Sequence, residues 1–154
     1  MDMKPISRSP ISFLRNNPAM FFGKSKIAGF DIFQMMIEQI NTINDFEHAI
    51  RFKKIFVISS KENWILNYSK NYDDYFSILA LNSFEEGHPN GANSGALLFA
   101  FCKEIFIWDG NISIEIKGKG DGVESIFTAY PFLRNYFVIF FYPDESLCLL
   151  DSTI

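Results

Sequence analysis

Two cysteines, Cys102 and Cys148, and two histidines, His48 and His88, are all that the 154 residues contain of either type. So few thiols exclude a disulfide framework and a cysteine-based zinc site. The histidines lie far apart, with no HxxxH or HExxH spacing, so neither helical zinc motif is present. No Gly-x-Ser-x-Gly elbow and no Walker sequence occurs. No apolar run approaches the roughly 18 residues that a membrane helix needs, and the opening MDMKPISRSP lacks the apolar stretch of a secretory leader. The expected location is therefore the reducing cytoplasm, with no membrane contact. Repeats, low-complexity tracts and linkers are also missing, so one domain over residues 1–154 is expected. A chain of this length buries about 70% of its unfolded surface and needs no metal or disulfide staple.

What the chain does have is phenylalanine. Eighteen Phe residues bring the aromatic share to 17%, with 48% hydrophobic and 21% charged residues. That composition excludes intrinsic disorder and leaves aromatic surface for a partner. The net charge of −4 is unevenly spread. Residues 1–26, a basic N-terminal arm, carry Lys4, Arg8, Arg15, Lys24 and Lys26 against Asp2 alone. The acidic body, 27–154, holds the other 9 basic and 17 acidic residues. Such a body is a poor match for nucleic acid, whose affinity comes from neutralised phosphates. It suits a basic partner, or serves only as solubilising charge.

Periodicity predicts a helix over about 30–46, with Phe33, Met36, Ile37 and Ile40 on its buried face. Beside that face runs a polar stripe of Glu38, Asn41, Thr42 and Asp45. Lys54–Ser59 reads as a buried strand, Asn63 as a turn residue and Trp64–Tyr68 as a second strand. DDYFSILALNS can open a helix capped by Asp73 or Asp74, and GHPNGANSG at 87–95 is a loop. A helix through Ala96–Phe101 follows. Glu104–Trp108 and Asn111–Lys117 flank Asp109–Gly110 as a hairpin, and Ser125–Tyr130 and Tyr136–Tyr142 close the chain as strands. The expected class is α+β: a mixed, largely antiparallel sheet with helices packed on one face.

The segment RNNPAMFFG at 15–23 resembles the RxxPxMYxG element that opens the ATPase domain of the DNA gyrase B subunit, through Arg15, Pro18, Met20 and Gly23. KKIFV at 53–57, ALLFAFCKEIFIW before Asp109, and SIFTAYP at 125–131 resemble later elements of that family in the same order. The resemblance implies the fold shared by gyrase, the ninety-kilodalton heat-shock chaperone, histidine kinases and mismatch-repair proteins, with the lid reduced. It places Glu38 on the family's general base. The Mg²⁺-binding Asn becomes Thr42, and the adenine-reading Asp-x-Gly-x-Gly becomes Ser69, Asn71 and Asp73. The lid shrinks to a few residues around His88–Ser94, with Gly91 and Gly95 left as an anion loop. One lost hydrogen bond to a charged group costs about 1.5–3 kcal/mol. With the metal ligand and lid gone too, the loss reaches on the order of 5 kcal/mol, or over three decades of affinity. The pocket is thus expected to be vestigial, with no catalytic residue, no cofactor and no metal.

The expected function is a non-catalytic protein-binding module. The best fit is a monomeric immunity protein that neutralises a cognate, basic toxin by direct binding, such as a contact-delivered nuclease. The partner-binding candidates are Tyr72, Asp73, Asp74, Tyr75, Glu85, Glu86, Asp121 and Glu124: carboxylates in connections, with tyrosines interspersed. The alternatives are a minimal ATP-binding protein using Glu38, Thr42 and the Gly91–Gly95 loop, and a mimic or regulator of gyrase itself.

Overall fold

In a computed structural model, residues 10–43, 46–77 and 94–148 are described. The central strands are the most apolar segments of the chain: β2 (Ile55–Ser60), β3 (Cys102–Trp108) and β5 (Phe137–Pro143). They sit side by side because each is hydrophobic on both faces. Phe56, Ile58, Ile105, Ile107, Phe137, Ile139 and Phe141 face one core, while Val57, Phe106, Val138 and Phe140 face another. That alternation is the period of two that a strand imposes. The edges are β1 (Phe46–Phe52) and β4 (Ser113–Lys117). The order is β1-β2-β5-β3-β4, and every pairing is antiparallel. The protein is α+β, as its composition and pattern led us to expect.

The larger core lies under α1 (Pro10–Asn16), α2 (Pro18–Phe22), α3 (Gly29–Ile43), α4 (Trp64–Tyr68), α5 (Tyr72–Phe76) and α6 (Ser94–Phe101). In α3 the face Ile32, Phe33, Met36 and Ile40 is buried, and the Phe33 ring packs tilted on Phe56 with ring centroids 4.7 Å apart. Asp31 starts this helix by accepting from Ala28 N at 2.8 Å. The described part of the basic arm is built into the body, since Leu14 is fully buried. The four residues of the gyrase-like element have local duties. Arg15 Nε donates to Ala100 O at 2.7 Å, Pro18 opens α2 and Gly23 closes it at φ 77°, while Met20 is exposed. Among the described residues no helix is long and apolar enough to cross a membrane.

Three elements differ from expectation. Trp64–Tyr68 is helix rather than strand: Asn63 is its cap, and the consecutive burial of Trp64 and Ile65 does not alternate. Ser125–Tyr130 is not a strand either. It falls within and just beyond α7 (Val123–Ala129), whose Val123, Ile126 and Phe127 follow helical spacing and cover the second core. Helical packing is therefore not confined to one face, because both faces of the central strands are apolar and each needs a cover. Finally, the chain forms an edge strand, β1, from Phe46, where the expected helix was ending.

α6 is the most enclosed helix. Only Phe99 in it escapes full burial. Gly95 lies where an added Cβ would overlap the Tyr75 carbonyl and ring. Its end runs directly into β3, so its last carbonyls need partners from elsewhere. Lys117 Nζ takes Phe99 O at 2.6 Å, Arg15 takes Ala100 O, and Asp144 N takes Phe101 O at 2.8 Å. Burial, with Arg15 nearby, pulls the Lys117 ammonium below its ordinary range. Partial burial pushes the Asp144 carboxyl up, but hydrogen bonds from Ser146 and the charges of Arg15 and Lys117 outweigh it and hold the group low.

Two outcomes follow. Gly95→Ala forces overlap with Tyr75 backbone and destabilises by about 1–3 kcal/mol in urea unfolding; a neutral result contradicts the close approach. Asp144 titrates lower folded than unfolded, so its stabilisation is complete above its ordinary pKa and disappears as pH falls through the folded value. The stability gap between the native chain and Asp144→Asn should therefore shrink below about pH 4, read as urea midpoints from neutral to acid. A gap independent of pH would refute this.

Candidate functional site

The antiparallel register brings particular chain segments to each end of the sheet. At one end lie Phe46, Ser60, Phe137, Trp108 and Ser113, and at the other Phe52, Ile55, Pro143, Cys102 and Lys117. At the second end, cations are engaged internally. Lys54 and Lys103 both meet Glu145, the latter at 3.6 Å, while Arg15 and Lys117 hold the α6 carbonyls.

The first end has the opposite character. Glu62 follows β2, and Asp109 opens the loop between β3 and β4. There Asp109 Oδ1 accepts from Asn111 N and Ile112 N, both at 2.8 Å, which makes the connection a four-residue loop instead of a two-residue Asp-Gly turn. Next to them, α4 and α5 are started by two asparagines. Asn63 Oδ1 accepts from Leu66 N at 3.1 Å, and Asn71 Oδ1 accepts from Asp74 N at 2.7 Å. Asp73 and Asp74 occupy the first turn of α5, where a carboxylate is favoured by the helix dipole. Among the described residues no lysine or arginine forms an ion pair with Glu62, Asp73, Asp74 or Asp109.

Tyr72 binds these pieces together. Because Asn63 Oδ1 is committed to capping α4, its Nδ2 points to Tyr72 and donates to the phenol oxygen at 2.8 Å. Partial burial raises the phenol above its ordinary pKa, the Asn63 bond opposes, and the charge of Asp109 raises it further. Leu66 and Ile112, 44% and 55% exposed, add apolar surface from α4 and from the β3–β4 loop. The result is a half-buried tyrosine and two exposed aliphatic side chains among four carboxylates that form no ion pair with any described lysine or arginine.

The structure sorts the candidates from sequence. Tyr72, Asp73 and Asp74 stand at this end together. Tyr75 does not: it is fully buried, its hydroxyl bonded to Ser94 Oγ and its ring against Trp64, so it is a core residue. Its place in the core follows from helical geometry, which turns Tyr75 and Phe76 inward when Asp73 and Asp74 face out. Asp121 lies beyond β4, at the opposite end of the sheet, and Glu124 is on α7 over the second core, 3.3 Å from Arg134. Neither joins the Tyr72 surface. Glu85, Glu86, His88 and Gly91 lie outside the described residues. Of the vestigial-pocket residues, Glu38 is exposed and accepts from Gln34 at 3.2 Å, and Thr42 Oγ1 donates to Gln39 O within its own helix. Ser69 N closes α4 on Ile65 O at 2.7 Å, and Asn71 is the α5 cap. Glu62, Leu66, Asp109 and Ile112 were missed from sequence. The register of β2 and β3 on the intervening β5 brings Asp109 and Ile112 to Tyr72, and the bond from Asn63 ties Tyr72 to Glu62 and Leu66, although the Asp109–Gly110 turn was itself visible. Among the described residues no cluster of three or more metal-ligating side chains occurs.

Asn63→Ala removes the α4 cap and the donor to Tyr72 at once. It should destabilise by about 1 kcal/mol or more in chemical denaturation; an unchanged midpoint would show that the cap holds nothing.

Comparison with known protein families, curated proteins and solved structures gave no match.

Proposed function

We propose that this chain is a non-catalytic protein-binding module of the immunity type, which neutralises a cognate basic protein by occupying it with the Tyr72 end of the sheet. The observation that supports this most is the grouping of Glu62, Asp73, Asp74 and Asp109, without an ion pair among the described residues, around a partly buried Tyr72 with Leu66 and Ile112 exposed beside it. A surface of this kind uses its charge to steer encounter and its aromatic and aliphatic groups to hold the complex. The secondary structure supporting it is short and capped by side chains, which fixes the anchors before binding and lowers the ordering cost.

The acidity of the surface also names the chemistry of the partner. A basic toxin domain, such as a nuclease that must itself bind phosphates, presents lysines and arginines to match. The experiment is stopped-flow binding to the product of the neighbouring reading frame. Neutralising Asp73 and Asp74 together, as Asp73→Asn with Asp74→Asn, should mainly slow association and flatten its salt dependence. Tyr72→Ala should mainly speed dissociation and cost about 2 kcal/mol. If neither variant set moves either rate more than about threefold, this end is not the binding surface. The rival of a minimal ATP-binding protein is tested by calorimetry with Mg-ATP. A dissociation constant below about 100 μM, roughly 5.5 kcal/mol of binding, would overturn the non-catalytic assignment.

A further inference from the structure

The chain has two thiols, and the fold buries both in the larger core. Cys102 opens β3, is fully buried, and stands opposite Pro143 of β5. From Pro143 the chain turns back at once. Asp144 N donates to Phe101 O at 2.8 Å, and Cys148 N donates to Asp144 O at 3.0 Å. This turn places Cys148 Sγ 3.9 Å from the carbonyl oxygen of Phe101, the residue that immediately precedes Cys102. Both cysteines are reduced and buried in this structure.

We propose that Cys102 and Cys148 form an internal disulfide when the protein meets a peroxide, locking the turn at 144–148 onto the junction of α6 and β3. The turn is a single short element, so its local opening exposes Cys148 without unfolding the sheet. The Cys148 thiolate attacks one peroxide oxygen, breaking the O–O bond; the leaving hydroxide takes a proton and departs as water. The product is a sulfenic acid on Cys148. As the turn recloses, the Cys102 thiolate attacks that sulfur and displaces hydroxide, which leaves as a second water. Two thiols and one peroxide give one disulfide and two waters. The sulfurs lose two electrons and the peroxide gains them. Burial raises the Cys102 thiol well above its ordinary pKa, and the neighbouring Cys148 adds to this. Cys102 therefore gives up its proton while the turn is still open, and its thiolate attacks before the site is fully closed.

The intact chain is incubated with hydrogen peroxide, blocked with iodoacetamide in urea and read by mass spectrometry. The expected product is monomeric, lighter by about 2 Da, unalkylated, and yields a peptide joining Cys102 to Cys148. Its melting temperature rises by on the order of 5–10 °C, because a long loop is closed in the unfolded state, and dithiothreitol reverses the rise. Cys148→Ser, close to the described C-terminal end, and Cys102→Ser should each abolish the shift. Two alkylatable thiols after peroxide, a stable overoxidised Cys148, or a disulfide-linked dimer would each overturn the proposal.

Discussion

Everything in this fold is arranged around a helix that has no polar face. Ser94–Phe101 is enclosed by α1, α3 and α5, and it enters β3 without a loop. The carbonyls that end a helix must find donors, and here no water-facing turn supplies them. Three distant segments do so: the guanidinium of Arg15 in α1, the ammonium of Lys117 in β4, and the amide of Asp144 after β5. Each connection ties a different part of the chain to the same helix end. The first helix, an edge strand and the C-terminal turn are thereby held against one core. The Lys117 ammonium also lies over the Phe99 ring, 4.6 Å from its centroid, so the charge meets both the ring and the carbonyl of the same residue.

The electrostatics of the surface follow from that arrangement. Cations are drawn to one end of the sheet to serve the α6 carbonyls and to pair with Glu145. At the other end, carboxylates are placed for local reasons: Asp109 to shape its loop, and Asp73 and Asp74 to favour the start of α5. The cations of that end leave these carboxylates alone: Lys61 reaches Glu47 instead, and among the described residues Lys70 forms no ion pair with them. A modest net charge of −4 is thus divided into two unlike ends, and the proposed binding surface is the end that the internal capping leaves acidic. Steering depends on this local field more than on net charge.

The elements that could be foreseen are those whose residues carry the whole signal. KIFVIS and YFVIFFY are buried on both faces and have few ways to be anything but central strands, and Phe33, Met36 and Ile40 mark one helical face. The elements that could not be foreseen depend on neighbours. β1 is an edge with alternating partial burial, and its hairpin turns through Lys53 at φ 57°, a left-handed conformation that no Gly or Asn announces. α4 has branched and aromatic residues that suit a strand, but Asn63 caps it into a helix. α7 did carry a helical spacing in Val123, Ile126 and Phe127. Its aromatic and branched composition concealed the spacing.

By itself, the sequence determined the α+β class, the three central strands, the two main helices and the acidity of the body, because these follow from composition and from periodicities within single segments. Tyr72, Asp73 and Asp74 were offered by it as adjacent candidates, and they stand together in the fold. Tertiary structure alone decided that Tyr75 belongs to the core, that Asp121 and Glu124 stand apart, and that Glu62, Leu66, Asp109 and Ile112 lie at the same end of the sheet as Tyr72. It alone set the Cys148 thiol against the carbonyl of Phe101, the residue before Cys102. The physical reason is the same in each case. Strand register and the caps of short helices set which segments meet, and those depend on pairings between residues far apart in the chain, which no local pattern encodes.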